Sequence, residues 1–133
     1  MNGYLLDTDA VLLLSFQSER APPSLRDALA QAPLRVSLVS AIEMAIKHSI
    51  GKLALSPAYE LNFANGFLES LNELSASLLP VEVEHIDVLN RLPMMHRDPF
   101  DRLLISQALV EGLTLVSGDR KFALYPGLPL LRI

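Results

Sequence analysis

Short apolar runs alternate with longer stretches of helical periodicity along nearly the whole chain. Gly3-Tyr4-Leu5-Leu6 is an apolar run that stops at Asp7, the pattern of a strand buried on both faces. Ala10 to Phe16 predicts a helix with Asp9 as its cap, and Pro22-Pro23-Ser24 breaks the chain before a second helix, capped by Ser24 and running to about Gln31. Leu34 to Leu38, bounded by Pro33, predicts a second strand. Ser40 and Glu43 have capping-box spacing, which predicts a helix to about Ile50 that Gly51 stops. From Pro57 to about Ser75 a long helix is expected, with Leu61, Leu68 and Leu71 forming an apolar stripe widened by Phe63, Ala64 and Phe67. Leu78 to Val83 predicts a third strand and His85 to Leu92 a short helix. Asp98-Pro99 opens another helix, with proline at the first helical position, and Gly112 ends it after Glu111. Leu113 to Val116 predicts a fourth strand, and Leu128 to Ile133 an edge strand, because Pro129 cannot donate to a ladder.

Strands alternating with helices imply βαβ units, right-handed crossovers and a central, mostly parallel sheet. The 133 residues are expected to form one domain (1–133), with no internal repeat or linker. Half of them are apolar, yet no run approaches the roughly 20 residues needed to cross a bilayer. The N-terminus lacks a basic region ahead of its apolar stretch, so it is expected to be the first strand and not a signal peptide. With no cysteine, disulfides and thiolate metal sites are excluded, and a cytoplasmic location fits. A net charge of −4 opposes binding of nucleic acid by bulk electrostatics alone. The charge is uneven, however. Six of the 15 acids fall between Leu53 and Asn90, where there is no Lys or Arg, leaving the rest of the chain at +2. A polyanion can approach that remainder, especially if bound cations offset some of its carboxylates; the acidic block also reads simply as solvated helix faces.

Ligands of parallel sheets sit beyond the carboxyl ends of the strands. Asp7 directly follows the first strand, Glu43 lies early in the helix after the second, and Asp119 follows the fourth in Val116-Ser-Gly-Asp. Carboxylates gathered at one point repel one another unless protons or cations intervene. A hard ion such as Mg2+ or Mn2+ takes oxygen ligands and keeps waters, one of which can attack a phosphodiester in line. Each acid also has a structural alternative. Asp7 can end a strand or cap a helix, Glu43 can serve only as capping partner of Ser40, and Asp119 can be a turn residue. Asp98 is the better cap of its helix, which leaves Asp101 free to point into a site. His48 and His85 read as surface or satisfied residues, whereas His96, beside Arg97, is a phosphate-contact candidate. Arg102 is placed to pair with a carboxylate or reach a nucleic-acid backbone, and Lys47 to form an i,i+4 pair with Glu43.

Leu5-Leu-Asp-Thr-Asp9, Ser40-Ala-Ile-Glu-Met-Ala-Ile-Lys47 with Gly51-Lys-Leu53, His96-Arg-Asp-Pro-Phe-Asp-Arg-Leu-Leu-Ile-Ser-Gln-Ala108 and Leu113-Thr-Leu-Val-Ser-Gly-Asp119 together resemble the PIN-domain family. More narrowly they resemble its VapC-like toxins of bacterial toxin–antitoxin pairs. The resemblance spans essentially the whole chain. It implies a three-layer α/β/α sandwich, Mg2+- or Mn2+-dependent cleavage of RNA, and Asp7, Glu43, Asp101 and Asp119 as the acidic site; Asp101 enters the set on this ground alone. It also implies a homodimer, and a small antitoxin that blocks the site by contacts with the helices between Ala41 and Ser75. Two positions depart from the family pattern: Asp9 stands where Asn or His is frequent, and Ser117 where Thr is common. Asp9, Asp98, Ser117 and Arg102 are the expected supporting residues.

Two other assignments compete. Leu5-Leu-Asp-Thr-Asp9 also mimics the strand and Asp-x-Asp of haloacid-dehalogenase phosphatases, but no downstream Lys followed by paired acids accompanies it. A non-catalytic RNA-binding module of the same fold is the other; retention of all four acids opposes it.

Overall fold

Successive strand residues face opposite ways, and the first strand of the sheet commits all three of its side chains to burial. In the computed structural model, which describes residues 2–133, this strand is β1 (Tyr4–Leu6). Tyr4 and Leu6 enter one apolar core with Val36 and Val116, while Leu5 enters another with Leu115, Leu104 and Phe122. Leu5, Leu6 and Leu115 are wholly buried, each stabilising the fold by about 1.5–3 kcal/mol relative to exposure.

β1 is the middle strand of five. With β2 (Leu34–Ser37), β3 (Ala76–Leu79), β4 (Thr114–Ser117) and β5 (Leu130–Arg132) it forms one sheet in the order β3-β2-β1-β4-β5, every neighbouring pair parallel. The helices are α1 (Thr8–Phe16), α2 (Pro23–Leu29), α3 (Leu38–Ser49), α4 (Pro57–Leu61), α5 (Phe63–Leu74), α6 (Val83–Arg91) and α7 (Pro99–Glu111), with 3-10 turns at Ser18–Arg20 and Arg120–Leu124. The Tyr4–Leu6 core is covered by α1, α2 and α5 through Val11, Leu25 and Phe67, and the Leu5 core by α7 through Leu104, Ile105 and Ala108. This is the expected α/β/α sandwich, with a sheet that is entirely parallel. Among the described residues no helix is long and apolar enough to cross a membrane.

Several boundaries differ from the sequence pattern, for local reasons. α1 begins two residues early because Asp7, not Asp9, is its cap, accepting from Ala10 N at 2.8 Å. α3 is capped by Ser37, whose Oγ accepts from Val39 N at 2.9 Å, so Ser40 and Glu43 do not form a capping box. α2 starts at Pro23 without a side-chain cap, so Ser24 lies inside it. The expected long helix is two helices: Asn62 turns extended (φ −161, ψ 112) and its side chain caps α5 by accepting from Asn65 N. α4 and α5 meet where a Cβ on Gly66 would lie 2.8 Å from the Tyr59 ring, so only glycine permits that approach. β3 begins earlier than expected, after Ser75 in the left-handed region, and ends before Pro80.

The order β3-β2-β1-β4-β5 reverses direction at β1: the chain winds outward through β2 and β3, then returns to β4 on the other side. Such a reversal opens a crevice at the carboxyl ends of the two central strands. Leu6 pairs in register with both Val36 and Val116, so the residues after all three strands emerge at the same height.

Candidate active site

Asp7 is held from two sides. Its Oδ1 caps α1, and its Oδ2 accepts from Ser117 Oγ at 2.5 Å, which ties the end of β1 to the end of β4. Ser117 Oγ in turn accepts from Asp119 N at 2.9 Å, fixing the turn that carries Asp119. One Asp119 oxygen caps the following 3-10 turn by accepting from Lys121 N; the other faces the crevice. Glu43 projects from α3, where Thr8 Oγ1 donates to its Oε1 at 2.6 Å and Lys47 Nζ to its Oε2 at 2.7 Å. Asp98 caps α7 through Phe100 N and Asp101 N, which points Asp101 inward from the first turn.

The result is a cleft of about 300 Å³ whose walls include Asp7, Glu43, Asp101 and Asp119, joined by Asp9 and Asp98. Asp7, Glu43, Asp101 and Asp119 come from four separate parts of the chain. Burial lifts the Asp7 carboxyl from 3.8 to about 6, against the lowering effect of its two hydrogen bonds. Burial lifts Asp101 from 3.8 to about 8, and the nearby Asp98, Glu43, Asp7 and Asp119 add to the rise. Lys47 shifts in the same direction: its hydrogen bond to Glu43 holds its amine protonated beyond the usual lysine range. The cleft therefore favours anything positive, a proton included.

His96 is the residue the sequence undervalued. It is only 5% exposed, and its Nε2 lies 2.8 Å from Asp101 Oδ2 and 3.3 Å from Asp119 Oδ2. Its Nδ1 accepts from Asp98 N at 3.4 Å, which leaves the proton on Nε2, facing the two carboxylates. The signal available was its place in His96-Arg-Asp-Pro-Phe-Asp101, five residues before Asp101 and two before a helix cap.

Arg102 goes elsewhere. Its guanidinium donates to Pro93 O at 3.0 Å and Tyr125 Oη at 3.2 Å and packs 9% exposed, so it braces the loop before α7 and does not line the cleft. Asp9 and Asp98 do line it, and Ser117 lies behind it, oriented on Asp7.

A model of the PIN domain matches residues 4–128. The chain belongs to the PIN domain family. Solved structures share this PIN fold from end to end: the DNA-bound VapBC of Salmonella typhimurium (18% identity, TM-score 0.71, covering 99% of this chain and 98% of that one) and VapBC2 of Rickettsia felis bound to a promoter DNA fragment (18%, 0.73, 98% of each). VapBC-5 of Mycobacterium tuberculosis is similar at 16% identity and a TM-score of 0.63, with 100% of both chains covered. A comparison with curated proteins finds no match. Within the PIN fold, the cleft described here occupies the carboxyl edge of the sheet. Its donor set is almost wholly carboxylate oxygen, the chemistry that a hard divalent cation requires. Asp101 and Asp119 bring carboxylate oxygens within 4.8 Å of each other and of His96, and Asp7 and Glu43 line the same cleft, so the oxygen donors there fit such an ion.

Proposed function

We propose that this protein is a metal-dependent endoribonuclease, the toxin of a toxin–antitoxin pair, acting in the cytoplasm on RNA phosphodiester bonds. The observation that carries the reading is the convergence of Asp7, Glu43, Asp101 and Asp119 on one solvent-reached cleft, where two of them hold protons above the ordinary carboxylate range. An arrangement that costs stability without a counter-ion is expected where the counter-ion does the chemistry. Mg2+ or Mn2+ bound there would supply an activated water and neutralise charge on the reacting phosphodiester.

The side chains divide the remaining work. Asp7, Asp101, Glu43 and Asp119 would hold the ion. Ser117 and Thr8 orient Asp7 and Glu43, while His96 spaces Asp101 from Asp119, the outer-shell support that metal-binding carboxylates need.

A protein partner is supported by α3 and its carboxyl cap, where Leu38, Ile42, Ile46 and the cap residue Ile50 recur every fourth residue, each 39–59% exposed, as one apolar stripe. The structural neighbours are named as VapB–VapC assemblies. On this reading the stripe is covered by a small antitoxin or a second copy of the chain.

The test is cleavage of structured RNA by antitoxin-free protein with Mg2+ or Mn2+. Activity is expected to disappear with chelator and in Asp7→Asn; cleavage that survives either would sink the assignment.

A further inference from the structure

The same cleft that gathers six carboxylates is also lined by three cations: Lys47 on α3, Arg97 in the loop before α7, and Lys121 in the turn after β4. Formally the lining carries −3, so a polyanion meets net repulsion unless a divalent ion brings it to −1 or two bring it to +1. Even then, Asp7 and Glu43 are buried, and an exposed cationic group must hold the strand. Lys47 is already engaged with Glu43. Arg97 and Lys121 are different. Both are exposed, and among the described residues neither pairs with a carboxylate or makes a side-chain hydrogen bond, despite lining an acid-rich cleft.

Their backbones, by contrast, are pinned. Arg97 stands between buried His96, whose N–H donates to Tyr125 Oη at 3.1 Å, and Asp98, which caps α7. Lys121 donates its own N–H to Asp119 Oδ1 and precedes Phe122, which is wholly buried. Each is thus a free cationic side chain on a fixed root, and the two roots adjoin Asp101 and Asp119 from opposite elements. A surface pair with a neighbouring acid would be worth at most about 1 kcal/mol, so availability for an incoming anion is not costly.

We propose that Arg97 and Lys121 are the phosphate-holding residues of this cleft, gripping the RNA backbone on either side of the phosphodiester positioned over the acids. The proposal rests on the nuclease reading for its substrate but concerns binding, not cleavage. Phosphate contacts set register and carry no sequence information, so the grip is expected to be indifferent to base identity. Arg102, the basic residue that the sequence nominated for this role, is committed to carbonyls and Tyr125.

The experiment measures anisotropy of labelled single-stranded oligo(U) and oligo(A) RNA bound to Asp7→Asn protein in Mg2+, between about 50 and 200 mM salt. Relative to that parent, Arg97→Gln/Lys121→Gln is expected to lower the slope of log affinity against log salt by roughly 1.4, the share of two single-strand phosphate contacts. It is expected to weaken both RNAs equally. Arg91→Ala/Lys52→Ala removes the same formal charge outside the cleft and is expected to leave the slope unchanged. Both glutamine changes fall on exposed, unpaired side chains, so melting should not move, and charge reversal to glutamate should deepen the effect. An unchanged slope, a loss confined to one RNA, an equal loss in the outside control, or a parent that binds neither RNA would each overturn the proposal. Binding that depends on Arg97 and Lys121 in a protein that cleaves nothing would leave this grip standing and remove the nuclease reading instead.

Discussion

Two histidines, both almost wholly buried, flank opposite ends of α7 and have opposite fates. At the carboxyl end, His85 is 0% exposed, and each ring nitrogen has a partner: Glu82 N donates to Nδ1 at 2.9 Å, and Nε2 lies 2.9 Å from Glu111 Oε2. Gln107 completes the seam, donating to Pro80 O and accepting from Ser37 Oγ. Donors and acceptors balance there, around one partly exposed acid. At the amino end, His96 faces two carboxylates, with four more lining the same cleft. Acceptors outnumber donors, and burial raises the proton affinity of Asp7 and Asp101. Buried polar groups that are fully paired make structure; a surplus of one kind, left within reach of water, makes a site.

The comparison is sharpest in catalysis. Asp101→Asn should lower the cleavage rate by about 1,000-fold, or ~4 kcal/mol of transition-state stabilisation, while Glu111→Gln should leave it within about twofold. Equal losses in single-turnover assays would erase the distinction between the two ends of α7. Stability should show the reverse. His85→Ala should cost about 3 kcal/mol in urea unfolding, since it strands Glu82 N–H and leaves a cavity. His96→Ala should cost about 1 kcal/mol, because water in the cleft can replace the imidazole, yet weaken Mn2+ binding by 10- to 100-fold on the usual outer-shell scale, roughly.

Proton linkage separates the two ends again. The folded-state pKa values of Asp7 and Asp101 lie above 3.8, so between about pH 4 and 8 the native state holds more protons than the unfolded chain. Their contribution is complete at low pH and is lost as pH rises, through about 6 for Asp7 and about 8 for Asp101. For Asp7 the loss is about 3 kcal/mol. In chelator, parent protein should therefore fall in stability with rising pH relative to Asp101→Asn, which should melt higher than the parent at neutral pH. Saturating Mn2+ should reverse the order, adding about 2.7 kcal/mol to the parent at a hundredfold excess over Kd. A parent whose stability rises with pH relative to the variant, in chelator, would contradict the whole account of the cleft. The smallest effect belongs to the exposed Arg91–Asp87 pair on α6: Arg91→Ala should shift unfolding by less than about 0.5 kcal/mol.

What was legible in the sequence follows from how local each cause is. Asp98-Pro99 marked the start of α7 because a cap and a proline at the first helical position act within one turn. Asp7 was legible as the polar end of an apolar run. The caps of α1 and α3 were misplaced because Asp9 and Ser40 satisfy the same local rules as Asp7 and Ser37, and the choice is made by where strand pairing releases the chain. The break at Asn62 is likewise decided by the crossing of Tyr59 over Gly66.

By itself, then, the amino-acid order determined the alternation of strands and helices and the parallel sheet, and it put Asp7, Glu43 and Asp119 forward as site candidates, since apolar period and strand-end position are properties of neighbouring residues; Asp101 joined them through the family resemblance. Only the tertiary structure decided that Asp101 meets Asp119 across His96, that Arg102 faces carbonyls and not the cleft, and that Arg97 and Lys121 stand free at its rim. Those outcomes depend on which surfaces the sheet reversal at β1 brings together, and burial, charge coupling and solvent access come into being only when distant stretches share one space.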